Sequence, residues 1–263
     1  MATKTVQDSS LTAVANAIRA KTGKSASMQF PGEFVSEIGS ISGGGGGNLK
    51  DELLGLVPSG EVTYVPDENI PMNGIVGKRG ITKLTLDFKN GYGFATSNAN
   101  GYNIELNQIP IITIIGYGNG VTLPSYVFNA NNASFIIVAR GVIKLGTQNV
   151  FRGNSGLTLL DLTYTSGNGI GANTFYSDST FKTLILRSST VVPLSNTNAF
   201  SNATAFRSGG KGGTLYVPSA LISSYESATN WSTILGYTNN QILPIEGSIY
   251  ETQYADGTPI PTS

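Results

Sequence analysis

Apolar residues in the first 41 positions recur three and four residues apart, which is the spacing of one face of an α-helix. The first run is Leu11, Val14, Ala15 and Ile18, and the second is Phe34, Ile38 and Ile41. The pattern predicts two short helices. A unit of this size seldom folds without further support. Residues 1–41 are therefore either a small helical hairpin with its own core or a docking and oligomerisation module.

Residues 42–47 read Ser-Gly-Gly-Gly-Gly-Gly. Glycine loses the most backbone entropy on ordering, so five in succession are typical of a flexible linker. The linker predicts two bodies in one chain. We assign residues 48–246 to a repeat domain and residues 247–263 to a polar C-terminal tail.

The second body repeats with a period of about 24 residues. Four short segments carry alternating apolar pairs, as on a strand with one buried face, and a phenylalanine follows each segment. The pairs are Ile112/Ile114, Ile136/Val138, Leu160/Leu162 and Leu184/Leu186, and the phenylalanines are Phe128, Phe151, Phe175 and Phe200. One strand with one loop cannot bury its own apolar side, so we expect stacked copies with these twelve residues as the structural core. An asparagine (Asn149, Asn173 or Asn198) stands two positions before three of the phenylalanines.

The two ends of the repeat differ from its regular part, and the opening strands depart from the 24-residue register. Residues 62–65 and 84–88 predict opening strands, and residues 215–217 predict the last strand of the repeat. A helix that begins near Pro218 and a final strand at 239–245 predict a cap, which an open solenoid end requires. The period lies within the range of leucine-rich repeats. The predicted fold class is mainly β, a leucine-rich-repeat solenoid with a C-terminal helical cap, preceded by the small α-helical module.

The amino-acid composition excludes most kinds of catalytic site. The chain has 12% charged residues, a formal net charge of zero, and neither histidine nor cysteine. A neutral chain does not suit nucleic-acid binding. Without His or Cys there is no Ser-His-Asp triad, thiol nucleophile or thiolate zinc site. Glycoside hydrolysis needs two carboxylates, and within the repeats Asp161 and Asp178 stand almost alone. We expect no enzyme activity and no cofactor.

The chain carries no segment that resembles a targeting or membrane signal. Its N-terminus lacks the apolar core of a secretory signal. The strongest apolar run, residues 109–115, is too short to cross a bilayer and contains Pro110. We expect a soluble product made in the cytosol, without membrane insertion.

Two parts of the sequence resemble known families. Residues 11–23 (LTAVANAIRAKTG) and 34–41 (FVSEIGSI) are similar to an N-terminal module of tail-associated phage and prophage proteins of Gram-positive gut bacteria. Residues roughly 111 to 246 resemble BspA-like leucine-rich repeats, most closely in the segments TLILRSST (183–190), NTNAF (196–200), LYVPSAL (215–221) and ATNWST (228–233). Such repeats often have a cysteine after the phenylalanine, and this chain has none.

The resemblance implies a phage virion structural protein of the tail tip, baseplate or a fibre, assembled in the cytoplasm of the bacterial host. Residues 1–41 would then contact other virion proteins, and the repeat domain would recognise a host cell-surface glycan or protein, with a homo-oligomer as the expected assembly. The alternatives are a capsid or tail decoration protein without a receptor and, less favoured, a cell-wall polysaccharide depolymerase or a bacterial surface adhesin. Aromatic side chains suit sugar binding. The candidate binding residues are Tyr117, Tyr164 and Tyr176, which lie in predicted loops beside the repeat strands. The alternative for each of them is ordinary packing within its loop.

Overall fold

The computed structural model describes residues 16, 60–72, 74–76, 81–96, 101–105, 109–129, 134–165 and 167–261. The chain divides into two units, Met1–Asn48 and Leu49–Ser263. The predicted helical module at 1–41 and the glycine linker at 42–47 lie outside the described residues, apart from Asn16, which is helical and exposed.

Eleven short strands follow one another through the described part of the second unit. Their bounds are β1 Gly60–Tyr64, β2 Ile75–Val76, β3 Ile81–Asp87, β4 Ile104–Glu105, β5 Ile111–Leu123, β6 Phe128–Asn129, β7 Phe135–Leu145, β8 Leu157–Tyr164, β9 Thr183–Leu186, β10 Thr214–Val217 and β11 Gln241–Pro244. Eight of them form one sheet in the order β1-β3-β5-β7-β8-β9-β10-β11, and β2, β4 and β6 form a second, smaller sheet. Neighbouring strands are parallel in both sheets. The mainly β solenoid predicted from the repeat is therefore confirmed.

The main sheet turns one face toward the core. Its central inner row contains, strand after strand in register, Leu84, Ile112, Ile137, Leu160, Leu184 and Leu215. All six are fully buried. From Ile112 to Leu184 the row advances by 25, 23 and 24 residues per coil, which matches the repeat in the sequence.

A second inner row lies two residues further along each strand. Its members, again in register, are Leu86, Ile114, Ala139, Leu162 and Leu186. Each of these side chains is fully buried. The predicted core positions on β5, β8 and β9 therefore lie on the inner face of the sheet.

The predicted inward pair of β7 is wrong by one residue. A strict period of 24 places Val138 beside Ile114, whereas Ile114 is in register with Ala139, and Ile137 occupies the central row. Ile136 and Val138 belong to the outer face, where Ile136 is half-buried and Val138 is fully buried. The strand begins with five apolar residues, FIIVA, so alternation does not distinguish its two faces.

The four repeat phenylalanines form a continuous stack inside the solenoid. Ring centroids are 6.1 Å apart from Phe128 to Phe151, 5.6 Å from Phe151 to Phe175 and 5.1 Å from Phe175 to Phe200, with interplanar angles of 10°, 20° and 6°. Each ring is fully buried. We call this stack the phenylalanine column.

The asparagines before the column fill a left-handed backbone position. Asn149 and Asn173 have φ of 56° and 55°, a conformation that asparagine tolerates better than other non-glycine residues. Tyr126 occupies the same position one coil earlier, with φ of 57°. Asn198 differs, since it lies in a 3-10 turn, Thr197–Phe200, in which Asn196 caps the Asn198 amide.

The predicted cap closes the C-terminal end. It consists of a 3-10 turn at Ser219–Leu221, helices α1 (Ile222–Ser227) and α2 (Trp231–Leu235), and then β11. Trp231 Nε1 donates to the Val192 carbonyl over 2.7 Å, and the Tyr225 hydroxyl accepts from the Val192 amide over 2.9 Å. Both aromatic side chains are fully buried, and burial raises the pKa of Tyr225 to about 12. None of the helices in the described ranges is long and apolar enough to cross a membrane.

Residues 246–261, which we call the strap, run back across the outer face of the main sheet. Residues 247–261 of the strap belong to the C-terminal tail predicted at 247–263. The strap ends in a hairpin in which the Tyr254 amide donates to the Thr258 carbonyl and the Ile260 amide to the Thr252 carbonyl, each over 2.8 to 2.9 Å. The Asp256-Gly257 pair at its tip is a favoured hairpin turn, and Gly257 has φ of 80°.

Among the described residues, one ion pair on the sheet binds the strap backbone and a second ion pair joins the strap tip to the sheet. Arg187, which follows β9, bonds both oxygens of Asp161, at 2.7 and 3.0 Å, and also donates to the strap carbonyls of Tyr250 and Gln253. The second Asp161 oxygen also accepts from the Ala255 amide over 2.8 Å. At the tip, Asp256 pairs with Lys83 over 2.8 Å.

Candidate functional site

A bulge in β5 presents Tyr117 to solvent. The strand is in register with β7 up to Gly116 and resumes at Val121, so residues 117–120 protrude from the ladder. Gly118 and Gly120 have φ of 51° and 84°, which glycine adopts without steric cost. A side chain at Gly116 would collide with the Val142 carbonyl of the next coil. The predicted loop around Tyr117 is thus a bulge within a strand.

Tyr117 and Tyr92 flank an open cleft. The Tyr117 side chain is 46% exposed and that of Tyr92, in the turn after β3, is 41% exposed. The cleft has a volume of about 220 Å³ and is lined mainly by Phe88, Lys89, Tyr92, Tyr117, Asn119 and Val121. Pockets that enclose a whole small molecule are usually about 300 Å³ or larger. This cleft is therefore smaller than the pockets that enclose a whole small molecule.

Asp87 and Arg140 act on the Tyr117 hydroxyl with opposite charges. Burial, and then the negative charge and hydrogen bond of Asp87, raise the pKa of Tyr117 above its ordinary value, with Arg140 opposing. Tyr117 is therefore neutral at physiological pH. Its ring supplies a flat apolar face, and Lys89 and Asn119 supply polar groups beside it.

Tyr164 has a structural position, which corrects its selection as a binding candidate. Its side chain is 7% exposed. The hydroxyl donates to the Gly167 carbonyl over 2.7 Å and accepts from the Gly169 amide over 3.1 Å. Tyr164 thereby closes the turn after β8, because a buried tyrosine needs a partner for its hydroxyl.

Tyr176 belongs to a second aromatic group. The Arg152 guanidinium lies over the Tyr176 ring at 4.6 Å and over the Tyr126 ring at 6.0 Å. Tyr126 in turn meets Tyr102 edge to face, with centroids 6.2 Å apart. All four side chains are half-buried. We call Tyr102, Tyr126, Arg152 and Tyr176 the tyrosine–arginine row.

Sequence reasoning missed Tyr92, Tyr102, Tyr126 and Arg152. The signal for the row lies in the repeat itself. Arg152 and Tyr176 each directly follow a phenylalanine of the column, and Tyr126 stands two positions before one. When neighbouring coils stack, the position directly after a column phenylalanine comes close to the same position one coil later and to the position two residues before the preceding column phenylalanine. Tyr92 carries no such signal, because its turn lies outside the regular repeat.

The two acidic residues of the repeats do not face a common cleft. Asp161 lies on the outer face of the sheet, where burial raises its pKa while Arg187 and the Ala255 amide oppose that shift. Asp178 is fully buried in the turn after Phe175, and burial raises its pKa well above the ordinary value despite the hydrogen bond from the Asn154 amide. Within the described ranges no three acidic side chains group as ligands for a metal ion.

Comparison of the chain with protein-family models, with curated proteins and with solved structures finds no match. The assignment of function therefore depends on the site geometry and on the sequence resemblance described above.

Proposed function

We propose that this chain is a structural protein of a phage particle, in the tail tip, baseplate or a fibre, and that its solenoid recognises a glycan on the host surface. In this proposal residues 1–41 attach the protein to other virion proteins. Recognition is non-catalytic and needs no cofactor. The sequence resemblance supports the phage assignment, and the stacked parallel coils supply the rigid body that such a receptor-binding part requires.

The observation that carries the glycan-binding proposal is the cleft between Tyr92 and Tyr117. Tyr92 and Tyr117 are both large side chains that remain exposed, and both line the same cleft. Aromatic faces beside polar groups are suited to sugar rings, which have both apolar faces and hydroxyl edges. The small volume of the cleft fits one unit of a polysaccharide. Several copies on one particle would strengthen a weak single contact.

The test is binding of the purified full chain to envelope fractions of candidate host cells and to an array of neutral glycans. We expect Tyr117→Ala to weaken glycan binding roughly tenfold, since the ring contributes stacking and burial. Met72→Ala removes another side chain that is 40% exposed and is the matched control. Absence of binding to every envelope fraction, or equal loss in both variants, would contradict the proposal.

A decoration protein without a receptor is the alternative, and it would share the solenoid fold. Imaging of labelled virions distinguishes the two functions by where the chain lies on the particle. Receptor recognition requires the chain at the tip or on fibres, whereas decoration predicts an even distribution over the head or tail shaft.

A further inference from the structure

We propose that the tyrosine–arginine row is a second binding site, which takes an anionic polysaccharide, a chain of sugar rings that carry carboxylate or phosphate groups. The inference rests on the proposed function, because that function supplies the host surface on which such a ligand occurs. Its geometry is separate from that of the Tyr92–Tyr117 cleft.

The row combines two kinds of contact that an acidic sugar needs. The Tyr126 and Tyr176 rings lie on either side of Arg152 in successive coils. Both side chains are half-buried, so their exposed parts offer apolar surface to a sugar ring beside the guanidinium. The guanidinium binds carboxylate or phosphate with a planar fork of donors. Stacking against tyrosine holds the guanidinium in place before a ligand arrives, so less conformational entropy is lost on binding.

Most N–H donors of the Arg152 guanidinium have no hydrogen-bond partner among the described residues. Its Nη1 donates to Asn149 Oδ1 over 3.2 Å, which is the single hydrogen bond of the guanidinium to a described residue. The two ion pairs between described residues, Lys83–Asp256 and Arg187–Asp161, do not involve it. In a chain with only 12% charged residues, a half-buried arginine that pairs with no carboxylate in the described ranges has the surroundings of an anion-binding residue.

The backbone at Tyr126 supplies an independent argument. Its φ of 57° is uncommon for a bulky residue, and the next two coils have Asn149 and Asn173 at the same position. A tyrosine is more strained at this position than an asparagine. Strained residues concentrate at functional sites, and the tyrosine ring is what places an aromatic face against Arg152.

The tyrosine–arginine row is also long enough to contact several units of a polymer. Parallel strands lie about 4.8 Å apart, so four coils from Tyr102 to Tyr176 cover about 14 Å along the solenoid axis. A ligand that follows this axis would contact the row through consecutive sugar units.

The experiment measures binding of the full chain to two acidic polymers and their neutral counterparts. Polygalacturonate is compared with its fully methyl-esterified form, and phosphomannan with mannan. We expect at least one acidic polymer to bind at least tenfold more tightly than its neutral counterpart, and the preference to shrink as salt is raised. The arm that binds identifies the anionic group as carboxylate or phosphate. No preference for either acidic polymer would overturn the proposal.

Two variants assign the binding to the row. Arg152→Gln is expected to abolish the acidic preference, whereas Arg207→Gln, which removes an equal charge from an exposed residue elsewhere, should retain it. Tyr126→Asn installs the residue that the next two coils use, so the fold should be intact while affinity falls about fivefold or more. Equal effects of Arg152→Gln and Arg207→Gln would refute the site.

The outcomes separate this inference from the proposed function. If host-envelope binding is lost in Tyr117→Ala but Arg152→Gln is without effect on any acidic ligand, the row is refuted and the proposed function stands. If no host envelope binds but the acidic polymers bind through Arg152, the row stands and the proposed function is refuted.

Discussion

The inner and outer faces of the main sheet are stabilised in different ways. The inner face repeats one kind of contact, with leucine and isoleucine in register and phenylalanines stacked behind them. The outer face is covered by the strap, whose contacts each occur once, such as Asp161 with the Ala255 amide and Thr113 with Asp256. The inner contacts join neighbouring coils, whereas those of the strap join residues 94 and 143 positions apart.

The difference shows how stability is distributed. In a repeat protein each coil contacts only its neighbours. The strap adds contacts that span coils, because it reaches from Arg187 near β9 to Lys83 on β3. It should therefore couple the unfolding of distant coils.

The largest effect is expected in the phenylalanine column. Phe175 stacks on Phe151, Phe200 and Phe181, the last with centroids 4.4 Å apart. Phe175→Ala should lower the free energy of unfolding by about 3 to 5 kcal/mol, since it leaves a cavity in a closely packed core. Denaturant unfolding measures the change. Phe175→Leu keeps more of the volume and should cost much less. A loss below about 1 kcal/mol for the alanine variant would show that the column contributes little.

On the outer face, the largest effect is expected at the Arg187–Asp161 pair, which bonds the strap backbone at Tyr250, Gln253 and Ala255. The Asp161 side chain is only 1% exposed. Arg187→Met leaves that carboxylate buried without its counter-ion, and we expect a loss of about 3 kcal/mol in the free energy of unfolding, measured in denaturant.

A double variant provides the control for this pair. Asp161→Asn combined with Arg187→Met removes both charges and retains an acceptor for the Ala255 amide, so it should recover more than half of the loss. If the double variant is as unstable as the single one, the strap depends on the hydrogen bonds of Arg187 to Tyr250 and Gln253 rather than on the ion pair.

The same contrast explains how far the sequence predicted the molecule. The column was predictable because its members recur at one period. The inward pair of β7 was misassigned because residues 135–139 are apolar at every position. The docked strap was not predictable, since each of its contacts occurs once between residues far apart in the chain. Tyr176 was found as a candidate, but its partner Arg152 was not, because the two meet only when the coils are stacked.

Acid should release the tip of the strap. Although burial acts to raise it, hydrogen bonds from Lys83, Thr113 and Thr258 lower the pKa of Asp256 to about 2. A carboxylate with a depressed pKa stabilises the fold fully above its ordinary pKa of 3.8, and this contribution is lost as the pH falls from about 4 toward 2. We expect a loss of about 1 to 2 kcal/mol over this range, allowing for solvent near the strap.

Asp256→Asn isolates this contribution. It should be less stable than the wild type at pH 7 and should lose less stability between pH 4 and pH 2, as followed by urea unfolding at each pH. Parallel pH profiles for the two proteins would show that Asp256 does not stabilise the strap.

The smallest effect is expected inside the repeat, where Asp178 is fully buried beside Asn154. Asp178 Oδ2 and Asn154 Oδ1 are both buried acceptors without a hydrogen-bond partner among the described residues. Because burial raises the pKa of Asp178 well above 3.8, burying this carboxyl group lowers stability at neutral pH, and this cost decreases as the pH falls toward 3.8. Asp178→Asn supplies a donor and keeps an acceptor for the Asn154 amide. It should therefore raise the free energy of unfolding at pH 7 by about 1 kcal/mol, with little difference from the wild type near pH 4. A destabilised variant at pH 7 would mean that the carboxylate itself, through its bond to the Asn154 amide, is needed to hold the coil after Phe175.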